Sequence, residues 1–190
     1  MRGKAPIKID FFQQDPLTCA RGLIGCILGF GDTSGVIVET EAYDAQNDPA
    51  CHTWRRPSAR EFVAKHPAGS AYVYLNYGMH WMLNFLVKGK RDGFVLIRAV
   101  QPLAGMELMQ GRRNGRTLNQ LCNGPAKLTQ AMGINGAQHG GDPLSDSKWA
   151  LTSPFLRPDI AVSTRIGITV AADYPWRFLL KGSCFVSRPQ

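Results

Sequence analysis

The chain has 190 residues, which is enough for one domain that buries a hydrophobic core without disulfides or metals. Hydrophobic residues make up 44% and charged residues 19%, an ordinary composition that excludes a disordered chain. Lysine and arginine number 22 against 14 aspartates and glutamates, so the net charge is +8. This charge suits a polyanionic partner, but on its own it fits a basic protein without such a partner equally well.

The five cysteines indicate neither a zinc site nor a disulfide framework. They are scattered and odd in number, and no CxxC pair or spaced histidine pair accompanies them. The longest apolar run, Leu23 to Phe30, is too short and too interrupted by glycine to cross a membrane. No apolar signal segment follows Met1. We therefore expect no metal, reduced cysteines and a protein that works in the cytoplasm.

Three helices are predicted. Asp15 followed by Pro16 is a typical helix start, and apolar spacing continues to a stop at Gly29. A second helix is predicted over Ala104–Arg113. The third runs from Pro125 to Met132, with Asn123 as its cap and Gly133 at its end.

The strand pattern predicts an α+β fold. The strands lie too close together in sequence for repeated crossover helices, which favours a mainly antiparallel, curved sheet. The long segments Tyr43–Gly69 and Gly133–Pro158 are predicted to be loops. We expect residues 1–190 to form a single domain, with flanking helices and a protruding β-hairpin. The predicted strands are Gly35–Tyr43, Ser70–Val87 (as the hairpin), Gly93–Val100, Ala161–Val170 and Arg177–Lys181.

The first of these strands carries two glutamates. Alternation predicts that Glu39, Glu41 and Tyr43 share one face. The carboxylates would then lie about 6.5–7 Å apart, and their repulsion would raise at least one pKa toward the range of a general base. An ordinary solvated strand face explains the pattern as well, and alternation does not separate Glu39 from Glu41. The opposite face would contact the core through Val36, Val38, Thr40 and Ala42.

Arg98 is the only charged residue of the strand Gly93–Val100. A buried guanidinium without a partner costs several kcal/mol, so we expect a carboxylate or phosphate beside it. Glu39 and Glu41 are natural partners if the two strands are neighbours. A glutamate held by an arginine with a trapped water would be a hydrolytic centre; a purely structural ion pair fits equally well.

The hairpin segment has a register that the sequence predicts. A three-residue loop, Asn76-Tyr77-Gly78, matches apolar with apolar residues across the strands and pairs Tyr74 with His80. Tyr77 is then exposed at the tip, beside a polar-aromatic face with Asn84. In a basic protein such a tyrosine can be a wedge that enters a DNA groove, although an ordinary exposed tyrosine is the simpler interpretation.

Several motifs, taken together and in order, resemble the alkyladenine (3-methyladenine) DNA glycosylase family. The resemblance extends from about Phe11 to Val186, and the combination of motifs is highly specific. The segment Thr53–Lys65 only loosely matches the Arg-rich loop of that family. The matching motifs are ETEAY at 39–43, Ala50-Cys51-His52, YVYxxYGM at 72–79, Asn84, Arg98-Ala99 and CxGPxKL at 122–128.

The resemblance implies catalytic and DNA-contacting residues. Glu41 corresponds to the general base that deprotonates the attacking water, and Arg98 to the residue that helps hold this water. A backbone carbonyl near residues 165–167 is expected at the same water. Tyr77 corresponds to the intercalating side chain, with Met79 beside it. Lys127, in the first turn of a helix whose free amides suit a phosphate, is a further expected DNA contact.

The resemblance also implies a pocket for a flipped purine. Tyr43, His52 and Tyr74 correspond to its walls, and Asn84 to a residue that crowds the exocyclic amino group of guanine. His80 stands where relatives have an aromatic residue or histidine, and it is expected near the substrate.

The implied activity is monofunctional hydrolysis of the N-glycosidic bond of alkylated adenine, hypoxanthine or ethenoadenine, without cofactor or metal. The implied partner is damaged double-stranded DNA, bound by a monomer that works at the bacterial nucleoid or, in a eukaryote, in the nucleus. A non-catalytic nucleic-acid-binding module is the alternative. Hydrolysis of free nucleosides is disfavoured by Tyr77 and the net charge.

Overall fold

The computed structural model describes residues 5–154 and 157–188, and it confirms an α+β fold with an antiparallel sheet. The described residues form eight strands and six α-helices. The strands are β1 (Ile27–Phe30), β2 (Thr33–Asp44), β3 (Ala71–Asn76), β4 (His80–Val87), β5 (Gly93–Ala104), β6 (Trp149–Thr152), β7 (Ile160–Ser163) and β8 (Arg177–Leu180). The helices are α1 (Pro16–Gly22), α2 (His52–Arg55), α3 (Pro57–Lys65), α4 (Met106–Arg112), α5 (Leu118–Leu121) and α6 (Pro125–Met132).

Strand β2 is the centre of the sheet. The strands follow the order β3-β4-β5-β2-β1-β6, and every pairing between them is antiparallel. One edge of β2 pairs with β5 along nearly its whole length. The other edge pairs with β1 near its start and with β8 at Glu39–Glu41, and β7 extends the sheet from β8. The two glutamates of β2 are therefore paired on both sides.

Side chains from the two faces of the sheet build two apolar clusters. Val73, Phe85 and Val95 belong to the main core, whereas the neighbouring residues Tyr72 and Phe94 belong to a smaller one. Such an alternation places the clusters on opposite faces. Helix α1 packs on β2 and β5, and α6 on β4 and β5, while α3 supplies Phe62 to the smaller cluster.

The predicted helices are confirmed in place, with three corrections. Strand β5 runs through Ala104, so the second predicted helix, α4, begins only at Met106. The Asp15 carboxylate caps α1 by accepting from the amides of Leu17 and Thr18, but the helix ends at Gly22, and β1 contains residues that were predicted to be helical. Helix α6 ends at Gly133, which has a left-handed φ of 76°. Its N-cap is Gly124 and not Asn123.

The predicted loops contain regular structure. The segment Tyr43–Gly69 carries α2 and α3, because Pro57 fixes the first turn of a second short helix. The segment Gly133–Pro158 carries a 3₁₀ turn at Gly136–Gln138 and strand β6. The strand predicted over Ala161–Val170 ends at Ser163. In the part of the chain that the structure describes, no helix is long and apolar enough to cross a membrane.

The predicted alternation along β2 is wrong in its first half. Ile37 lies in the main core and Val36 is only half-buried, although Ala42 faces the core as predicted. The register against β5 is irregular here, and neither Val38 nor Arg98 has a residue paired directly opposite it on the neighbouring strand. Such bulges redirect side chains. The irregularity changes which residues of β2 face the core just before the two glutamates.

The hairpin register is also corrected. Asn76 pairs with His80 and Tyr74 with Met82, so the three-residue loop is 77–79 and not 76–78. Tyr77 and Gly78 both have positive φ, 51° and 70°, and the amide of Met79 donates to the carbonyl of Asn76. Two left-handed residues in succession are typical of a type I′ turn, and not of the predicted type I turn with a bulge. Tyr77 still lies at the tip, as predicted.

Candidate active site

A cavity of about 290 Å³ opens between the hairpin, β5, the start of α2 and the segment that follows β7. This volume is at the lower end of small-molecule sites, which are typically about 300–1,000 Å³. Its lining is rich in aromatic side chains, with few charged groups. The lining residues are Tyr43, Ala50, His52, Tyr72, Tyr74, Asn76, Tyr77, Met82, Asn84, Phe94, Leu96, Arg98, Pro125, Ile166, Gly167 and Ile168.

Glu41 lies fully buried beneath this lining. Its Oε1 accepts from the amide of Ile166 at 2.7 Å, and its Oε2 accepts from the Tyr43 hydroxyl at 2.7 Å. The Nη1 atom of Arg98 is 3.3 Å from Oε2. These three neighbours all line the cavity. Glu41 itself is not part of the lining; its three neighbours hold the carboxylate from three directions directly behind it.

Glu39 is equally buried but belongs to a different network. Its Oε1 accepts from Arg98 Nε at 3.0 Å, Arg177 Nη1 at 3.1 Å and the Ser187 hydroxyl at 2.8 Å. Its Oε2 accepts from the amide of Ser187 at 2.6 Å. Arg177 and Ser187 do not line the cavity. Two arginines and a serine saturate Glu39 on the side of the C-terminal segment.

Burial raises the pKa of the Glu41 carboxyl above its ordinary value of 4.5. The Arg98 guanidinium, the Ile166 amide and the Tyr43 hydroxyl oppose this rise, and the charge of Glu39 adds to it. Burial and the adjacent Glu41 carboxylate raise the pKa of Tyr43, so its hydroxyl stays protonated and donates. A carboxyl with a raised pKa, buried directly behind the lining of a cavity, is suited to accept a proton at neutral pH.

The side walls of the cavity are aromatic. The rings of His52 and Tyr74 meet edge to face with centroids 4.4 Å apart, and His52 Nδ1 lies 3.2 Å from the Tyr72 hydroxyl. Burial and the charge of Arg56 lower the pKa of His52 to about 4. Burial raises the pKa of Tyr74 to about 12. The walls are therefore neutral at physiological pH and suited to stack on a planar base.

Asn84 and Tyr77 occupy opposite ends of the site. The Asn84 side chain is buried and donates to the Tyr72 carbonyl at 3.1 Å, so its position is fixed. Tyr77 lines the mouth and is 84% exposed, an unusual state for a large aromatic side chain. The structure thus brings seven of the ten expected site residues together; besides Glu41, they are Tyr43, His52, Tyr74, Tyr77, Asn84 and Arg98.

The other three expected residues lie outside the cavity lining. Met79 and His80 are exposed at the end of the hairpin, where they border a separate hollow next to α6. Lys127 lies on the first turn of α6 and donates to Asn123 Oδ1 at 2.9 Å. His80 was expected near the substrate, but in the observed register Tyr74 pairs with Met82, and Met82 lines the cavity in place of His80.

Two features of the site were not predicted from the sequence: the segment Ile166–Ile168 as cavity lining, and a buried ion pair between Asp48 and Arg165. Arg165 contacts Asp48 and Ile166 contacts Glu41, and in each case the two residues are more than 100 positions apart in the chain. No local sequence pattern marks such contacts. A backbone carbonyl was expected at the attacking water near residues 165–167. The contact that the structure shows there is of the opposite kind, a donor: the amide of Ile166 donates to Glu41. The carbonyl stays a prediction. Among the described residues, no cluster of three histidine, cysteine, aspartate or glutamate side chains could hold a metal ion.

Comparison with known proteins identifies the class that this fold and site define. The chain matches the methylpurine-DNA glycosylase family over residues 10–184. It therefore belongs to that family, whose members are DNA N-glycosylases, hydrolases of base excision repair. This membership decides against a non-catalytic binding module. DNA binding follows from the same membership.

Individual relatives agree over nearly the whole chain. A protein of Rhodopseudomonas palustris (strain HaA2) is 46% identical over 97% of this chain and 91% of its own length. One from Agrobacterium fabrum is 46% identical over 94% and 91%, and one from Methanoculleus marisnigri is 44% identical over 94% and 96%. All three carry the name "Putative 3-methyladenine DNA glycosylase".

Proposed function

We propose that the chain flips a damaged purine out of duplex DNA into the aromatic cavity and hydrolyses its N-glycosidic bond, with Glu41 as the general base. The observation that carries this proposal is a buried carboxyl with a raised pKa directly beneath an aromatic cavity. The net charge of +8 supports binding to the phosphate backbone. The product is an abasic site in an unbroken strand.

The reaction follows from the geometry around Glu41. Its carboxylate takes one proton from a water molecule, whose oxygen bonds to C1′ of the flipped nucleotide as the C1′–N bond breaks. The bonding electrons leave with the base. Arg98 and the Ile166 amide orient the carboxylate, and the buried negative charge stabilises the positive charge that develops on the sugar.

The walls select the base. Tyr43, His52 and Tyr74 stack on or contact the extruded purine, and Asn84 crowds the exocyclic amino group of guanine. Since His52 is neutral above about pH 4, it offers a hydrogen bond but no additional proton. Cationic 3-methyladenine is a good leaving group without such a proton. We propose that alkylated adenine, hypoxanthine and ethenoadenine are substrates, the first with the least need of acid assistance.

The hairpin tip supports the proposed flipping. Tyr77 protrudes next to the mouth, where its ring can fill the gap left by the base. We propose that Met79 and His80 face the duplex from the same tip, and that Lys127 contacts a phosphate. His80, which was expected in the base pocket, is thereby assigned to the surface that faces the duplex. Each contact would act on a monomer bound to one damaged site.

A gel assay tests the proposed reaction. Purified protein is incubated with labelled duplexes that carry hypoxanthine, ethenoadenine or 3-methyladenine and is then treated with alkali, which cleaves at abasic sites. We expect strand scission only after alkali and only at the lesion. An undamaged duplex and the Glu41→Gln variant are the controls. Scission without alkali, or equal scission by Glu41→Gln, would contradict the mechanism.

Tyr77→Ala tests the wedge separately. We expect this variant to lose more of the fluorescence change that accompanies flipping of ethenoadenine than of overall DNA affinity. The exposed position makes a loss of stability small. Stopped-flow fluorescence and a binding titration on the same duplex give the two quantities. A flipping signal equal to that of the wild type would exclude a wedge at Tyr77.

A further inference from the structure

A fully buried ion pair lies beside the cavity without lining it. The Asp48 and Arg165 side chains both have 0% exposure. The two terminal nitrogens of the guanidinium donate to the two carboxylate oxygens, Nη2 to Oδ1 at 2.9 Å and Nη1 to Oδ2. This is the bidentate arrangement that fixes both groups in distance and in angle.

Arg165 is fixed on its other sides as well. Its Nη1 donates to the Ala42 carbonyl and its Nη2 to the Ala171 carbonyl, both at 3.1 Å. The guanidinium also lies near three aromatic rings, with distances of 4.8, 5.1 and 5.8 Å to their centroids. These rings belong to Tyr43, Trp176 and Tyr174. Arg165 therefore connects its own segment to the backbone of strand β2 at Ala42.

The residues next to the pair are those of the active site. Ile166 follows Arg165 directly, and its amide donates to Glu41 Oε1 at 2.7 Å. On the other side, Asp48 accepts from the amide of Ala50, and its carbonyl accepts from the amide of Cys51, which precedes His52. The pair thus joins the wall that holds the general base to the wall that carries His52.

The energetics of buried ion pairs indicate that Asp48 and Arg165 fix the positions of neighbouring groups and add little net stability. Taking two charges out of water costs nearly as much as their attraction returns, so an apolar pair of similar volume would serve stability as well. An arginine–carboxylate fork provides fixed orientation instead. We propose that Asp48 and Arg165 are positioning residues for base excision, and that their ion pair holds the Ile166 amide against Glu41. This inference rests on the proposed role of Glu41 as general base.

The pH dependence of the reaction reports on this geometry. Around Glu41 lie Glu39 and Tyr43 on β2, Arg98 on β5, Tyr74 on β3 and the Ile166 amide. The amide favours the ionised carboxylate. If the amide moves away, Glu41 ionises at higher pH, and the acid limb of the pH–rate profile moves upward. Removing the charge of Asp48 by itself would move this limb downward, so the sign separates geometry from charge.

The test compares Asp48→Asn and Arg165→Lys with the wild type in single-turnover excision across the acid limb. The probe is the damaged duplex that gives most scission in the assay above. We expect the plateau rate to fall about 10- to 100-fold and the acid limb to rise by roughly half to one pH unit. Met109→Ala, in the core at α4, is the control for lost stability.

An acid limb that stays in place in both variants, with a rate loss no greater than in Met109→Ala, would overturn the proposal. If a variant does not fold, replacing Ile166 by the corresponding α-hydroxy acid removes only the amide donor, and the same upward shift is expected. The absence of a shift there also overturns it. Glu41→Gln distinguishes the two levels, because excision by that variant would overturn the proposed function itself.

Discussion

Glu39 and Glu41 stand two residues apart on one strand, share Arg98 as a partner and are both fully buried, yet their surroundings differ. The Glu39 region is closed: Arg177 and Ser187 complete its hydrogen bonds. The Glu41 region has one arginine, one hydroxyl and one amide, and all of them border a cavity. A buried carboxylate with a full set of donors is costly to remove but has no room to react, whereas a carboxylate with fewer donors beside a cavity can take up a proton.

The largest expected effect comes from the matched pair Glu41→Gln and Glu39→Gln. We expect Glu41→Gln to lower the single-turnover excision rate by at least about 100-fold, because an amide cannot accept the proton of the water. Affinity for damaged duplex should be retained. Glu39→Gln should keep the rate within roughly 10-fold but cost about 3–5 kcal/mol of unfolding free energy, since Arg177 and Arg98 lose a buried partner.

Chemical denaturation and excision assays on the two variants separate the roles. The reverse outcome, an inactive Glu39→Gln with normal stability and an active Glu41→Gln, would assign the general base to Glu39. Equal losses of excision rate in both variants would mean that the Glu39 and Glu41 regions act as one unit.

The distinction between the two glutamates could not be drawn from the sequence. Alternation correctly placed both glutamates on one face. The single charge of Arg98 in an apolar strand correctly predicted a carboxylate beside it. The residues that close the Glu39 region are 138 and 148 positions away in the chain. Only tertiary structure brings them there, and no local pattern encodes the contact.

The second prediction concerns Arg98, which serves both regions through different nitrogens. Arg98→Lys keeps one positive charge but has a single nitrogen in place of the two separate nitrogens that contact Glu39 and Glu41. We expect excision to slow about 10- to 100-fold and the acid limb to move upward, because Glu41 loses charge compensation. Glu39→Gln is the matched control: a loss that both variants share is structural, and the excess in Arg98→Lys belongs to Glu41. If Arg98→Lys loses no more excision rate than Glu39→Gln, separate roles for the Glu39 and Glu41 regions are contradicted.

The third prediction is a pH dependence of stability. Because the folded-state pKa of Glu41 lies above its unfolded value near 4.5, the folded protein binds this proton more tightly. Stability from this group is therefore lost as pH rises from about 4.5 through the raised pKa. We expect Glu41→Gln to become more stable relative to the wild type over that window. Thermal unfolding at several pH values measures it, and a difference that shrinks with rising pH would contradict the raised pKa.

Local signals succeeded where one short segment determines the structure. The Asp15-Pro16 start of α1, the left-handed Gly133 and the exposed Tyr77 follow from cap and turn chemistry. The details of pairing were less accessible. The irregular register that skips Val38 and Arg98 reverses the predicted faces in the first half of β2. The hairpin loop is displaced by one residue, because cross-strand packing selects among registers that alternation leaves equivalent.

The smallest expected effects come from removing one hydroxyl from each region. Ser187→Ala removes a donor to Glu39 but leaves the backbone amide of Ser187 on Oε2, so we expect a stability loss of about 1 kcal/mol and an unchanged rate. Tyr43→Phe keeps the ring that lines the cavity but removes the hydroxyl that favours ionised Glu41. The acid limb should therefore move upward, with a similar rate on the plateau. Parallel pH–rate profiles measure both variants; a shift in Ser187→Ala as large as in Tyr43→Phe would show that the two carboxylates titrate together.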